Sequence, residues 1–325
     1  MLVLALAACL ATSLMAGYRF YPPAAVLAAL AGGGDGGAGA AGAESLQVIR
    51  DLRLPRAVIA PTVGAALGVA GVLLQSLVRN RIAAPDILGL NAGAALAVVV
   101  ASVAFGVGSL AGLSLAAGIG ALAAALAVYA VATAAGPMSP ARTVLTGFTL
   151  SGLLISLVQI VLTTDEATLE ELLFWMAGGF EGRSLGLVGG AAWLLAAGAV
   201  GAALAARPLD ALQVDDDAAR GLGVAVLRTR LLAFAAVAAL TGAAVAIAGP
   251  VGFVGLVVPH VARALVGPRH GPVLITAGLA GAVFALLADI GARFLIYPSE
   301  APVGVVTALV GAPVLIALLR RGAAG

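Results

Sequence analysis

Residues 187–248 read LVGGAAWLLAAGAVGAALAA, then RPLDALQVDDDAARGLGVAVLRTR, then LLAFAAVAALTGAAVAIA: an apolar run, a charged centre and a second apolar run. The centre, Arg207–Arg230, carries Arg207, Asp210, Asp215, Asp216, Asp217, Arg220, Arg228 and Arg230, a quarter of the chain's 17 basic and 15 acidic residues. Each flank is about long enough to cross a hydrocarbon core of roughly 30 Å as a helix. A spanning backbone must satisfy its own hydrogen bonds, so helix is the expected form. Strands of a membrane barrel would alternate apolar and polar residues, and these runs do not. Two spanning helices joined by a charged segment that must sit in water form the unit from which the fold is read.

The rest of the chain has the same character. Of its 325 residues, 62% are hydrophobic and 10% charged, and mean hydropathy is +1.14, which excludes a soluble domain. Ten spans are drawn: Leu2–Gly17, Ala57–Val78, Ile87–Val107, Leu110–Ala135, Thr143–Leu162, Leu185–Ala206, Leu231–Ala248, Val251–Val266, Val273–Ile296 and Val303–Leu319. The expectation is an all-α polytopic membrane protein whose residues 1–325 form a single transmembrane domain in the lipid bilayer. The 44 glycines suit close helix approach, and Gly64–Gly68 and Gly89–Gly93 have the small-xxx-small spacing. Cys9 stands alone, so neither a disulfide framework nor a cysteine metal site is expected. Met1–Gly17 has no basic leading segment and is read as a short first span rather than a signal peptide.

Arginine placement sets the topology, since the chain has no lysine. With the N-terminus inside, eleven arginines fall in inner loops (79, 81, 142, 207, 220, 228, 230, 263, 269, 320 and 321) and six on the other side (19, 50, 53, 56, 183 and 293). Both termini and the 207–230 segment are therefore placed in the cytoplasm. The outer segment 18–56 contains the flexible tract Gly32–Glu44. It ends in SLQVIRDLRLPR, whose Arg50, Arg53 and Arg56 recur every three residues on a helical face. Clustered arginines outside run against the usual bias, and either headgroup anchoring or docking of acidic groups accounts for them. Residues 163–184 read as an external amphipathic helix, with Asp165, Glu166, Glu170 and Glu171 on one face and Phe174 and Trp175 at the lipid interface.

Polar residues within or beside spans have structural readings. Gln75 and Asn91 are expected to hydrogen-bond neighbouring helices, and Asp289 and Arg293, four apart, to form an intrahelical ion pair. Pro259-His260 is expected to interrupt its helix near the cytoplasmic end, with His260 in a packing role. Asn80, Arg81, Pro85 and Asp86 form a polar turn. No GxxxxGK[ST] phosphate loop or HExxH is present, and pairing Ser151 or Ser156 with His260 has no supporting context. No catalytic residue and no metal ligand is assigned. Composition leaves channel, self-sufficient carrier, intramembrane enzyme and permease open.

Five blocks narrow the choice: IRDLRLPRAVIAPTVGAALGVAGVLLQSLVRNRIAAPDILGLNAGAALAVV (49–99), FWMAGGFEG (174–182), DDAARGLGV (216–224), GPVGFVGLVVPHVARALVG (249–267) and the run 287–321. In this order they resemble the FecCD-like permeases of type II ABC importers, which carry iron–siderophore chelates, haem or cobalamin. The resemblance implies ten helices per subunit and a homodimer around a central path in the inner membrane of a bacterium or archaeon. It also implies two cytoplasmic ATPase subunits and an external substrate-binding protein. No cofactor is expected on this chain, ATP-Mg belonging to the partner ATPase, and no nucleic acid is implied. By the same resemblance 207–230 is the coupling-helix loop, with Asp217, Ala218, Ala219, Arg220, Gly221 and Gly223 against the ATPase. Arg53, Arg56 and Arg293 match arginines that receive the binding protein, and Asn80, Arg81, Ser139, Pro140 and Ala141 fall in loops that narrow the cytoplasmic end of the path. Arg81 stands where the family usually has proline, and Pro140-Ala141 where the cobalamin branch has small hydroxyl residues. The expected cargo is an iron(III)–siderophore-type chelate, with haem or cobalamin as the alternative.

Overall fold

The computed structural model of the chain describes residues 1–17, 19–31, 40–134, 136, 139–163, 175–213, 216–296 and 299–322. Among them, the apolar runs are helical. Label them α1 (Leu2–Met15), α2 (Pro23–Leu30), α3 (Ala40–Gln47), α4 (Leu54–Val78), α5 (Leu90–Phe105), α6 (Leu110–Ala134), α7 (Pro140–Leu162), α8 (Leu185–Ala211), α9 (Asp216–Gly221), α10 (Val226–Ala248), α11 (Val254–Val266), α12 (His270–Leu295) and α13 (Val303–Gly322). Six helical stretches, including one running from Glu44 to Val78, are long and apolar enough to cross a membrane. The shorter apolar helices α1, α5, α11 and α13 fall on the four remaining expected spans. The expected amphipathic helix lies largely outside the described residues.

Several edges differ from expectation. Residues 207–230 are not one loop: α8 continues to Ala211 and α10 begins at Val226, leaving a short connection that holds α9. Backbone hydrogen bonding does not stop at the water boundary, so charged residues extend helices out of the bilayer. The predicted second span begins earlier, at Leu54, and is fed by α3 through a π-helical segment, Val48–Arg53. Pro259 does not break α11. Its missing N–H frees the Gly255 carbonyl, and the amide of Gln75 on α4 approaches that oxygen and Leu256 O at 3.4 Å.

α4 is the central rod, packed against α12, α10 and α11. Glycine makes this possible. A Cβ on Gly64 would lie 2.2 Å from the Gly281 carbonyl oxygen, and one on Gly281 would lie 2.1 Å from that of Gly64. One turn on, a Cβ on Gly68 would meet Ala277 O at 2.6 Å. Gly93 and Gly120 make the same contact between α5 and α6. Lipid tails are as apolar as leucine, so such close van der Waals contact is what favours helix against helix over helix against lipid. By contrast, α7 is largely uncovered, and its Phe148 is 70% exposed. Charge collects at the two ends of the bundle, one where α1 stops and α4 begins, the other where α4 stops and α12 begins.

Candidate functional sites at the two ends of the bundle

At the first end, Asp289 of α12 is fully buried. Two arginines answer it: Arg56 donates to Oδ1 through Nε (3.0 Å) and Nη2 (2.7 Å), and Arg293 pairs with Oδ2. Arg56 reaches Glu300 Oε2 with Nη1 at 2.6 Å, and Arg293 clamps α1 through Ser13 O (2.7 Å), Ala16 O (2.8 Å) and Ser13 Oγ (2.9 Å). Arg53 turns instead to the end of α1, donating to Leu14 O at 2.9 Å, Met15 O at 2.7 Å and Arg19 O, with its guanidinium 4.5 Å from the Tyr21 ring centre. Arg50 donates to Ala29 O of α2 at 2.7 Å. The three arginines do not share one face, because the π-helical segment widens the turn and fans them onto three partners. Arg53, Arg56 and Arg293 are each buried, and their guanidinium groups are already engaged within the chain rather than free at the surface.

Beside them lies the loop 177–184. It is fixed by Gly179 N–H to Ala248 O at 2.9 Å and by Gly178, whose φ is +68° and whose Cβ would fall 2.0 Å from Pro250 O. Trp175 just before this loop is buried in the main core cluster and does not stand in an interfacial belt. Glu181, Arg183, Arg56 and Glu300 line an open cleft of about 310 Å³. Burial pushes the Glu181 carboxyl up from its ordinary value, and the like charge of Glu300 adds to this. Burial draws the Arg183 guanidinium down to about 10.

At the second end, Arg79 caps α4 in the left-handed region (φ 51°) and donates to Leu212 O at 3.0 Å and Asp216 Oδ1 at 2.6 Å. Arg230 of α10 grips both oxygens of the same carboxylate, at 2.9 and 2.8 Å. Asp216 thus ties α9 to α4 and α10. Within α9, Arg220 pairs with Asp217 and Ala219 is buried against the chain, so it faces inward and not toward a partner. Asp217, Ala218, Arg220, Gly221 and Gly223 are exposed, as is Leu222 at 76%. His270, which sequence reading passed over, sits 2.7 Å from Asp210 Oδ1 through Nδ1 and 2.6 Å from Ser76 Oγ through Nε2. Sixty residues separate Asp210 from His270, so no local pattern pointed to the pair.

The loop residues at this end have visible structural duties. Asn80 Oδ1 accepts from Ile82 N at 2.9 Å, a self-closed turn, while Arg81 is exposed. Ser139 Oγ caps α7 by accepting from Arg142 N at 3.3 Å, followed by Pro140 at the first helical position and by Ala141. Among the described residues no hydrogen bond or ion pair joins Asn80 or Arg81 to 139–141. Asp86, in the turn Pro85–Leu88, accepts from Asn91 Nδ2 at 2.6 Å and from the Phe253 N–H, and burial lifts its carboxyl to about 6. His260 Nδ1 lies 2.9 Å from Leu256 O, a packing role.

A sequence model of the FecCD transport family matches residues 4–321. A probable siderophore transport system permease of Bacillus subtilis is 40% identical over 280 residues, covering 85% of this chain and 83% of the relative. The ferric enterobactin transport system permease of Escherichia coli is 38% identical over 326 residues, covering 100% and 95%. A cobalamin import system permease of Halobacterium salinarum is 38% identical, covering 85% and 74%. A solved metal-chelate type ABC transporter in an inward-facing conformation superposes with a TM-score of 0.85 at 30% identity, over 98% of this chain and 97% of that one.

Proposed function

The chain belongs to the FecCD transport family, and from that premise we propose that it carries an iron(III)–siderophore-type chelate across the inner membrane of a bacterium or archaeon. The family match over nearly the whole chain carries the reading, supported by relatives whose cargo is a ferric chelate. The cobalamin permease among the relatives keeps corrinoid cargo as the second reading.

In this proposal two copies surround the path, with the uncovered apolar faces of α7 and α13 turned to each other or to lipid. Both termini lie in the cytoplasm. An external binding protein docks at the Arg53, Arg56 and Arg293 end. Because Arg56 already holds Glu300, docking there exchanges one carboxylate for another. Two ATPase subunits meet α9 and the turn after it through Asp217, Ala218, Arg220, Gly221 and Gly223, whose exposed faces are small or charged, with Leu222 as an apolar knob. Asp216 transmits movement of α9 to α4 and α10, because one carboxylate holds an arginine from each. Asn80, Arg81, Ser139, Pro140 and Ala141 narrow the inner end of the path. ATP-Mg acts in the ATPase, and this chain contributes no catalytic group.

The test is reconstitution in vesicles with the cognate ATPase and binding protein, following uptake of a radiolabelled ferric chelate. Uptake should require ATP and both partners. Uptake by the chain alone would show a self-sufficient carrier and end the proposal.

A further inference from the structure

The end of the bundle that holds Arg56 contains a cation that the described residues leave unanswered. Arg183 is only 7% exposed, and its Nη1 is buried without a partner. Among the described residues it forms no hydrogen bond and no ion pair, whereas Arg53, Arg56 and Arg293 nearby are each held by carbonyls or carboxylates. A charge this buried destabilises the fold unless something compensates it. Its place is enforced, not incidental. The loop carrying it is pinned at Gly178 and Gly179 and anchored by fully buried Phe180, so the side chain cannot swing out to water by moving the loop.

Arg183 lines two clefts, both shared with Arg56, Glu181 and Glu300. One of them ends at Val303. A separate apolar groove runs along α13, lined by Gly304, Leu309 and Ile316 together with Phe253. The charged cleft and the apolar groove are thus lined by consecutive residues of the chain, Val303 and Gly304 on one side and Gly178 and Ala177 on the other. The planar fork of a guanidinium matches a carboxylate in two-point hydrogen bonding.

We propose that Arg183 is an anion-binding group at the head of the α13 groove, receiving a carboxylate of the ferric chelate, so that the chain favours carboxylate-bearing, anionic chelates over neutral ones. The unmet Nη1, the pinned loop and the adjoining groove carry it. This rests on the permease reading and names its cargo more narrowly. Neutral corrinoids and neutral trihydroxamates would gain nothing from this site.

The test uses the purified full chain in detergent without ATPase or binding protein, titrated calorimetrically with gallium(III) citrate, a redox-inert stand-in for a ferric carboxylate chelate. Saturable binding is expected, at least tenfold weaker in Arg183→Met, and a neutral gallium trihydroxamate should show no dependence on residue 183. Thermal unfolding without ligand supplies the second measurement. Arg183→Met should melt at the same temperature or higher, because an unpaired buried charge is removed. A lower melting temperature with unchanged citrate binding would mark Arg183 as merely structural and overturn the assignment. So would equal dependence of both chelates on residue 183, or a loss confined to phosphatidylglycerol in mixed micelles or to binding-protein docking. ATP-driven uptake by the complete importer, measured in parallel, separates the two levels. Intact uptake with no citrate site sinks only the anion assignment, and no ATP-driven uptake of any chelate sinks the permease reading.

Discussion

Asp289 shows what a single residue does in this fold. Its carboxylate is fully buried, and two guanidinium groups from different helices, Arg56 and Arg293, neutralise it while Arg293 also holds the end of α1. Removing one member of such a set leaves a charge in low dielectric without compensation. Asp289→Ala should therefore destabilise the chain by about 3–5 kcal/mol, seen as a large drop in melting temperature in detergent. A change no larger than that of a surface substitution would mean that the cluster is solvated and contributes little. Sequence reading found half of this set, because Asp289 and Arg293 are four apart on one helix. Arg56 lies 233 residues away and reaches Asp289 only through the α4–α12 contact, which no local pattern encodes.

At the scale of elements, the turn before α5 and the α9 connection make separate predictions. Asp86 sits in that turn outside the spanning helices, with its folded-state value raised from 3.8 to about 6 mainly by burial, against the hydrogen bonds from Asn91 and Phe253. A carboxyl raised on folding favours the folded state when protonated, so this contribution is present below 3.8 and is lost as pH rises to about 6. Melting temperature measured from pH 4 to 7 should fall across that window, and Asp86→Asn should flatten the fall. An unchanged slope would assign it to other groups. In α9, a Cβ on Gly221 would meet nothing within 4 Å, so the chain itself tolerates a larger residue there. Gly221→Trp should leave melting intact but uncouple ATP hydrolysis from chelate uptake in the assembled importer. Preserved transport would remove α9 from the ATPase contact. Gly223 is a poorer probe, because its φ of +80° penalises any side chain in this chain alone. The helices themselves were legible because apolar length is a property of contiguous residues. The glycine contacts were not, since with 44 glycines the spacing at Gly64–Gly68 cannot be told from chance until Gly281 is seen against it.

For the whole molecule, the arginine tally separated the two ends of the bundle, and the structure gathers the charged clusters at those same ends. What sequence could not give is how far each charge is spent inside the chain. Arg53 and Arg56 read as outer cations and prove to be engaged, Arg293 holds α1 as well as the Asp289 expected for it, and Arg183, counted only for topology, has no partner among the described residues. This changes how docking must be tested. Reversing Arg56 would break its pair with Asp289 and damage the fold, so lost docking would say nothing about contact. Glu300 is the better probe. It is the more accessible of the two carboxylates on Arg56, with its side chain 30% exposed against 0% for Asp289, and it competes with any incoming carboxylate. If a binding protein engages Arg56, Glu300→Gln should tighten its docking several-fold, and the gain should shrink as salt rises from 0.01 to about 0.15 M, because screening shortens to roughly 8 Å. Docking that is indifferent to Glu300→Gln at low salt would place the binding protein's acidic groups elsewhere on this face.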